Sequence, residues 1–237
     1  MTKLCEIDGR AWKAALNAVY VAAAKKDPGR PALECILLKC ASALRLTAAD
    51  NYRLHIATIP VGDMAGCSPD HEVLVNAIAL HKVKIVTGAS VCLDLATDGA
   101  SLSVNGQDLP TVNECYPAFE QVIPLRFAWS FTIDAEELRE SVKFLSPMAK
   151  NLINLVVLDG DVLSASDPEH GDASCHLETL HIVTGAMPRM SFNWRYLRDA
   201  LIGESQVTVS GNTATQPIVI DGLVARRVIM PMEVRND

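Results

Sequence analysis

The sequence predicts an α+β fold built twice, as two copies of one domain that each lay two helices on mostly antiparallel sheet. Three observations predict it. Apolar residues recur at helical spacing after Ile7-Asp8 and again after Ile133-Asp134, an offset of 126 residues. Short alternating segments, such as Ala43-Leu44-Arg45-Leu46-Thr47 and Gln206-Val207-Thr208-Val209, read as strands. Asp98-Gly99, Asn105-Gly106, Asp159-Gly160 and Asp221-Gly222 separate such segments as turns. Parallel βαβ alternation is absent, which argues against a Rossmann-type sheet.

The elements follow in matched order. Asp8 is a suitable N-cap for a first helix whose inward stripe is Trp12, Ala15, Leu16, Val19 and Ala23. Asp134 opens the matching helix with Leu138, Val142 and Leu145, and Asp134 with Glu137 resembles a capping box. Next, Leu46-Thr47-Ala48-Ala49-Asp50 matches Leu163-Ser164-Ala165-Ser166-Asp167 at an offset of 117, so the second copy has a shorter intervening loop. The same offset relates Val75-Asn76 and Leu80 to Phe192-Asn193 and Leu197. Asn76 and Asn193 therefore read as N-caps of short second helices. Last, Leu102-Ser103-Val104-Asn105-Gly106 parallels Ile218-Val219-Ile220-Asp221-Gly222. The expected domains are 1–124 and 125–237, joined near Pro124 to Trp129.

Composition narrows the function classes. The chain has 237 residues, 49% hydrophobic and 21% charged, which excludes a disordered chain. The formal charge of −7 argues against a uniformly basic nucleic-acid binder but leaves room for a local basic face. Residues 1–124 carry 11 basic and 13 acidic groups, net −2, and residues 125–237 carry 10 and 15, net −5, so neither half is a basic arm or an acidic tail. An apolar run of about 18 residues, the length a membrane helix needs, is missing. The first residues lack an apolar signal core, and the seven cysteines are odd in number with no CxxC pair. The expectation is a reduced, cytoplasmic chain with buried thiols and no zinc site.

Catalytic signatures are missing too: there is no GxxxxGK[ST] loop, GxGxxG, HExxH or GxSxG. Cys175, His176 and His181 come nearest to a metal cluster, but adjacent strand residues point to opposite faces, so they read as surface positions. Asp50 and Asp167 recur between the copies and read as strand-end turns rather than a catalytic pair. Neither a catalytic residue nor a cofactor or metal is expected, and an enzyme is not supported. The helices are more informative. Lys13 and Arg139 occupy matching outward positions, as do Asn17 and Lys143. The second helices carry His81 and Lys82 in the first copy and Arg195 and Arg198 in the second, and Lys26 and Arg30 flank the loop after the first helix. These residues are either ordinary solvated helix surface or a face aimed at phosphate backbones, where contact is sequence-independent and salt-sensitive.

Three stretches together resemble the bacterial sliding clamp, the beta subunit of the replicative DNA polymerase. Leu46-Thr47-Ala48-Ala49-Asp50-Asn51-Tyr52-Arg53-Leu54 is similar to that family's T-A-T-D-G-H-R-L strand end. Tyr116-Pro117-Ala118-Phe119-Glu120-Gln121-Val122-Ile123-Pro124 resembles its F/Y-P-x-[FY]-x-x-[VL]-[IL]-P segment between the second and third domains. Val228-Ile229-Met230-Pro231-Met232 resembles its V-[VI]-M-P-M ending, and Phe192-Asn193 is similar to the start of its last helix. The match begins at the family's second domain, and the family's usual chain has three.

The resemblance implies a ring of six such domains around duplex DNA, lined by helices, that tethers a polymerase or another DNA enzyme without doing chemistry. A two-domain chain needs three copies, so a head-to-tail homotrimer is the expectation, with a dimer or a clamp-like module that binds peptides without encircling DNA left open. Partners in the family, polymerase and clamp loader among them, dock a short apolar peptide between the last two domains. Carried over residue by residue, that pocket comprises Leu33, Asn51, Tyr52, Arg53, Leu54, Pro124, Pro217, Val228, Met230, Pro231 and Met232. Asn51 and Tyr52 stand where the family usually has Gly and His, and Ala49 where it has Thr, which reshapes the floor. The DNA-facing candidates are Lys13, Lys26, Arg30, Lys82, Arg139, Lys143, Arg195 and Arg198.

Overall fold

The computed structural model of the chain describes residues 1–61, 71–86, 88–149 and 154–232. Cys67 lies outside the described residues. The chain divides into two compact units, Met1–Ala118 and Phe119–Asp237, so Pro124 goes with the second.

The first unit runs β1 (Thr2–Asp8), α1 (Gly9–Tyr20), β2 (Cys35–Cys40), β3 (Ala43–Ala49), β4 (Arg53–Pro60), β5 (His71–Asn76), α2 (Ala77–His81), β6 (Ser90–Leu95), β7 (Ser101–Val104) and β8 (Gln107–Pro110). Its strands make two antiparallel sheets, β1-β6-β7-β8 and β4-β3-β2-β5. The second unit runs β9 (Trp129–Asp134), α3 (Ala135–Ala149), β10 (Leu155–Asp159), β11 (Val162–Asp167), β12 (Gly171–His176), β13 (His181–Thr184), β14 (Met190–Asn193), α4 (Trp194–Asp199), β15 (Gln206–Gly211), β16 (Ile218–Asp221) and β17 (Ala225–Ile229). It repeats the plan with β12-β11-β10-β14 and β13-β9-β15-β16-β17. This is the doubled α+β architecture that the sequence predicts. Alternation along a strand tells which face is buried and not which strands pair, so the sequence expectation of helices on sheet becomes helices packed against two sheets in each unit.

Only β13 has no counterpart among the described residues of the first unit. It lies along β9, with a register shift between Ile182 and Thr184, and all four of its residues are exposed.

The helices sit where the caps put them. Asp8 Oδ1 accepts the N–H groups of Arg10 and Ala11, both at 2.9 Å, which satisfies donors that a helix start leaves orphaned. Asp134 Oδ1 does the same for Glu136 and Glu137. Asn76 caps Ala79 N–H and Asn193 caps Arg195 N–H, as their positions predicted. Below the helices, α1 buries Trp12, Ala15, Leu16, Ala18 and Val19, and α3 buries Leu138, Val142 and Leu145. The second core gathers these α3 residues with Trp129, Phe131, Phe192 and Leu197. Burial of each leucine, valine or phenylalanine among them is worth about 1.5–3 kcal/mol, so these stripes fix which helix face is left for solvent.

The expected capping box does not close on itself. Instead of reaching back to Asp134 N–H, Glu137 turns to the segment before β13, where its carboxylate accepts the N–H groups of Glu178 and Thr179 and the Thr179 hydroxyl. Thr179 Oγ1 lies 3.1 Å from Asp134 N and takes that donor. The helix start is thus tied to a segment 42 residues further along the chain.

Candidate nucleic-acid and partner interfaces

Each unit pairs its long helix with its short one. In the first, the His81 ring stacks on Tyr20 with centroids 3.7 Å apart, and His81 Nε2–H donates to Asn17 Oδ1 at 3.0 Å. Desolvation lowers the His81 pKa below its ordinary 6.5, which favours the neutral ring. In the second, Arg139 reaches from α3 to the end of α4, where its Nη2 donates to the carbonyls of Leu201 at 2.9 Å and Glu204 at 3.2 Å. Those carbonyls lie two and five residues beyond Asp199, so Arg139 ties α3 to the turn that follows α4.

Of the DNA-facing candidates, Lys13, Lys26, Lys82 and Arg195 are exposed and have no carboxylate partner among the described residues. The others do. Arg30 pairs with Asp27 at 2.8 Å, Lys143 with Glu140 at 3.3 Å, Arg198 with Asp199 at 2.6 Å, and Arg139 with Glu136. Arg195 and Arg198 also lie over the Trp194 ring, 5.4 and 5.2 Å from its centroid. Sequence reading left Arg10, Lys25 and Lys84 off the set. All three are exposed, and Arg10 stands three residues before Lys13 on α1, a spacing that puts both on one face.

The peptide-pocket candidates fall on both units. In the first they gather at the tip of the β3–β4 hairpin. Asp50 Oδ1 accepts the N–H groups of Tyr52 at 2.8 Å and Arg53 at 2.9 Å, which shapes the turn and leaves Asn51 and Tyr52 exposed. The Arg53 guanidinium pairs with Asp50 at 3.0 Å and donates to the Val21 carbonyl at the end of α1. Leu54 and Leu33 are buried, and the Leu33 carbonyl accepts Ala24 N–H at 2.8 Å. Tyr116, from the Y-P-A-F segment, packs beside Ala49, and burial pushes its phenol pKa upward.

In the second unit, Ile218 pairs with Ile229 across β16 and β17, so Pro217 and Met230 flank that pair. Val228 is buried, while Met230 is 38% exposed. Beyond β17 the chain crosses to β14, where Met232 N–H donates to the Ser191 carbonyl at 2.8 Å. Pro124, Pro217, Pro231 and Met232 are half-buried. Of these candidates Asn51, Tyr52 and Met230 are exposed, Arg53 is half-buried, and Leu33, Leu54 and Val228 are buried.

Among the described residues no group of three His, Cys, Asp or Glu side chains is placed to hold a metal ion. No helix among them is long and apolar enough to cross a membrane.

Residues 120–233 match the family model described as DNA polymerase III beta subunit, C-terminal domain. A curated relative, the beta sliding clamp of Synechocystis sp., is 25% identical over 252 residues, covering 90% of this chain and 61% of its own length. The DNA polymerase sliding clamp of Bacillus subtilis superposes with a TM-score of 0.86 at 18% identity, over 98% of this chain and 65% of that one. The DNA polymerase III beta chain of Streptococcus pneumoniae does so with a TM-score of 0.84 at 22% identity, over 99% and 65%. The chain thus spans less than two thirds of the length of these relatives. The chain thus has the doubled α+β fold of these clamps, and its matched C-terminal domain and the relative along most of its sequence make it similar to the beta sliding clamp family.

Proposed function

We propose that the chain is a DNA sliding clamp, a ring that encircles duplex DNA and holds a polymerase or other DNA enzyme on it. It is a processivity factor and not an enzyme: the hold is topological, so no catalytic group is needed. The observation that carries this reading is the repetition of one clamp unit, in which β8 of the first and β12 of the second each end a sheet with one partner strand. Head-to-tail pairing of such edges closes a ring, conceals the edges and satisfies their backbone groups. Three copies supply the six domains of the family's ring. Weak phosphate contact from outward cations suits sliding, because tight pairing would act as a brake.

In this reading partner peptides of polymerase and clamp loader are held through short apolar motifs. Tyr52 and Met230 are the exposed anchors, and methionine suits a surface that accepts several ligands. Met230→Glu abolishes binding of such a peptide and leaves the fold intact, since Met230 is exposed; undiminished binding rejects the assignment.

A second reading, a clamp-like module that binds peptides without encircling DNA, is favoured by the carboxylate partners of Arg139, Lys143 and Arg198. Native mass without DNA separates the two. A particle of three chains, retained on circular duplex and released when the circle is cut, supports the ring. A monomer at micromolar concentration that binds peptide supports the module.

A further inference from the structure

The two units do not share the electrostatic work. We infer that phosphate contact resides in the helical layer of the first unit alone, and that the helical layer of the second is charge-balanced and carries little of it. The inference rests on the proposed contact with duplex DNA.

In the first unit, three cations on or beside the sheets are paired: Lys3 with Glu6 at 2.8 Å, Lys39 with Glu72 at 2.6 Å and Arg53 with Asp50 at 3.0 Å. Outside the sheets, the cations without a carboxylate partner among the described residues are Arg10, Lys13, Lys25, Lys26, Lys82 and Lys84. Every one lies on α1 or in the residues just after α1 and α2, and every one is exposed. Arg10, Lys13 and Asn17 follow one another at helical spacing, and the Asn17–His81 hydrogen bond brings the end of α2, with Lys82 next to it, against that same stripe. The nearby carboxylates are already engaged. Asp8 holds the first N–H groups of α1, Asp27 pairs with Arg30, and Glu34 accepts Asp27 N–H at 2.7 Å. Helix α1 itself carries no acidic residue.

The second unit differs at each matching place. Helix α3 has Glu136, Glu137 and Glu140 against Arg139 and Lys143, and both cations pair with a carboxylate one turn away. On α4, Arg198 is neutralised by Asp199, which leaves Arg195 over Trp194. Lys150 lies outside the described residues. A paired cation presents a dipole to a distant phosphate, and its field fades faster than that of a bare charge. A polyanion therefore meets a net positive surface on the first unit and a neutral one on the second.

The test uses the whole chain and a short linear duplex, onto whose free ends a ring can thread. Affinity is read by fluorescence anisotropy across a salt series. Lys13→Glu with Lys82→Glu should weaken binding about tenfold or more and flatten the salt dependence, since each lost phosphate contact removes about 0.9 from the slope of log affinity against log salt. Lys143→Glu with Arg195→Glu should change affinity less than about twofold and keep the slope. All four side chains are exposed, and unchanged thermal melting of both variants checks the fold. Equal losses from the two pairs overturn the assignment to the first unit while DNA binding stands. Wild-type protein that binds no duplex at any salt overturns the assignment together with the DNA reading. A monomeric native mass with the expected asymmetry retires the ring and keeps the phosphate face.

Discussion

The Glu204 carboxylate and the Arg227 guanidinium form an ion pair in which both side chains are fully buried. Both members have further partners, though the buried Arg227 Nε has none among the described residues. Glu204 also accepts the N–H groups of Leu223, Val224 and Ala225, and Arg227 donates to the carbonyls of Ala225 at 2.7 Å and Ile202 at 2.9 Å. Gly222 lies against the Glu204 carboxylate, where a Cβ would collide with it. The pair therefore binds the loop after α4 to the β16–β17 turn.

Removing one member of a buried pair leaves the other charge uncompensated, at a cost of about 3–5 kcal/mol. Arg227→Met should lower unfolding free energy in urea by that order. Glu204→Gln should cost less, because an amide oxygen still accepts from the turn. A loss below about 1 kcal/mol for Arg227→Met would mean that the turn relaxes enough to hydrate Glu204.

Arg53 acts on a helix to which it does not belong. Helix α1 has no basic residue in its last turn, yet a helix C-terminus favours a cation. Arg53 supplies it from β4 by donating to the Val21 carbonyl, and two residues on, buried His55 places Nδ1 at 2.7 Å from the Ala18 carbonyl. Arg53→Met should destabilise the chain by about 1–2 kcal/mol, the range of partly buried charge–dipole contacts. Arg53→Lys should recover part of this, having the charge without the fork that spans Asp50 and Val21. A thermal midpoint unmoved in Arg53→Met would leave the residue free for ligand work alone.

Legibility followed the range of the interaction. Asp8, Asp134, Asn76 and Asn193 were readable as caps because a cap acts on amides two or three residues ahead. The doubled order of elements was readable because both copies kept it in sequence. The partner of Glu137 was not, since Thr179 arrives through a connection that has no equivalent among the described residues of the first copy. The site divided in the same way. The exposure of Lys13 and Lys82 was readable from their outward helical position. That Lys143 and Arg198 already have carboxylate partners depends on rotamers that sequence spacing permits without requiring. Arg53 and Leu54 were singled out by resemblance, and their packing roles came only with the hairpin.

Thr179 is the hinge of the tie between α3 and β13. Its hydroxyl takes Asp134 N–H and donates to Glu137, while its own N–H donates to the same carboxylate at 3.0 Å. Partial burial alone would raise the Glu137 pKa, but the hydrogen bonds from Thr179 and Glu178 outweigh it and hold it below the ordinary 4.5. A carboxylate depressed in the folded chain adds stability above its unfolded value and loses it as pH falls through the folded one. Thr179→Val should therefore destabilise by about 1–2 kcal/mol near neutral pH, and by less in acid. Hydrogen exchange at Asp134 N–H should rise in the same variant; protection unchanged from wild type would show that another acceptor serves this amide.

His81 gives the first unit a pH response with a defined sign. Its ring is wedged between Tyr20 and Asn17, and desolvation lowers its pKa below 6.5. Above pH 6.5 the ring is neutral in both states and the packing contributes in full. As pH falls, the unfolded chain takes up the proton first, so stability declines until the lowered folded value is passed. His81→Phe keeps the stack on Tyr20 and cannot titrate. It should lose about 1 kcal/mol at neutral pH, for the missing hydrogen bond to Asn17. Between about pH 7.5 and pH 5 its thermal midpoint should fall less than that of wild type, so that the two curves converge in acid. Parallel curves would mean that the imidazole titrates alike in folded and unfolded chains, and that the α1–α2 contact is indifferent to its charge.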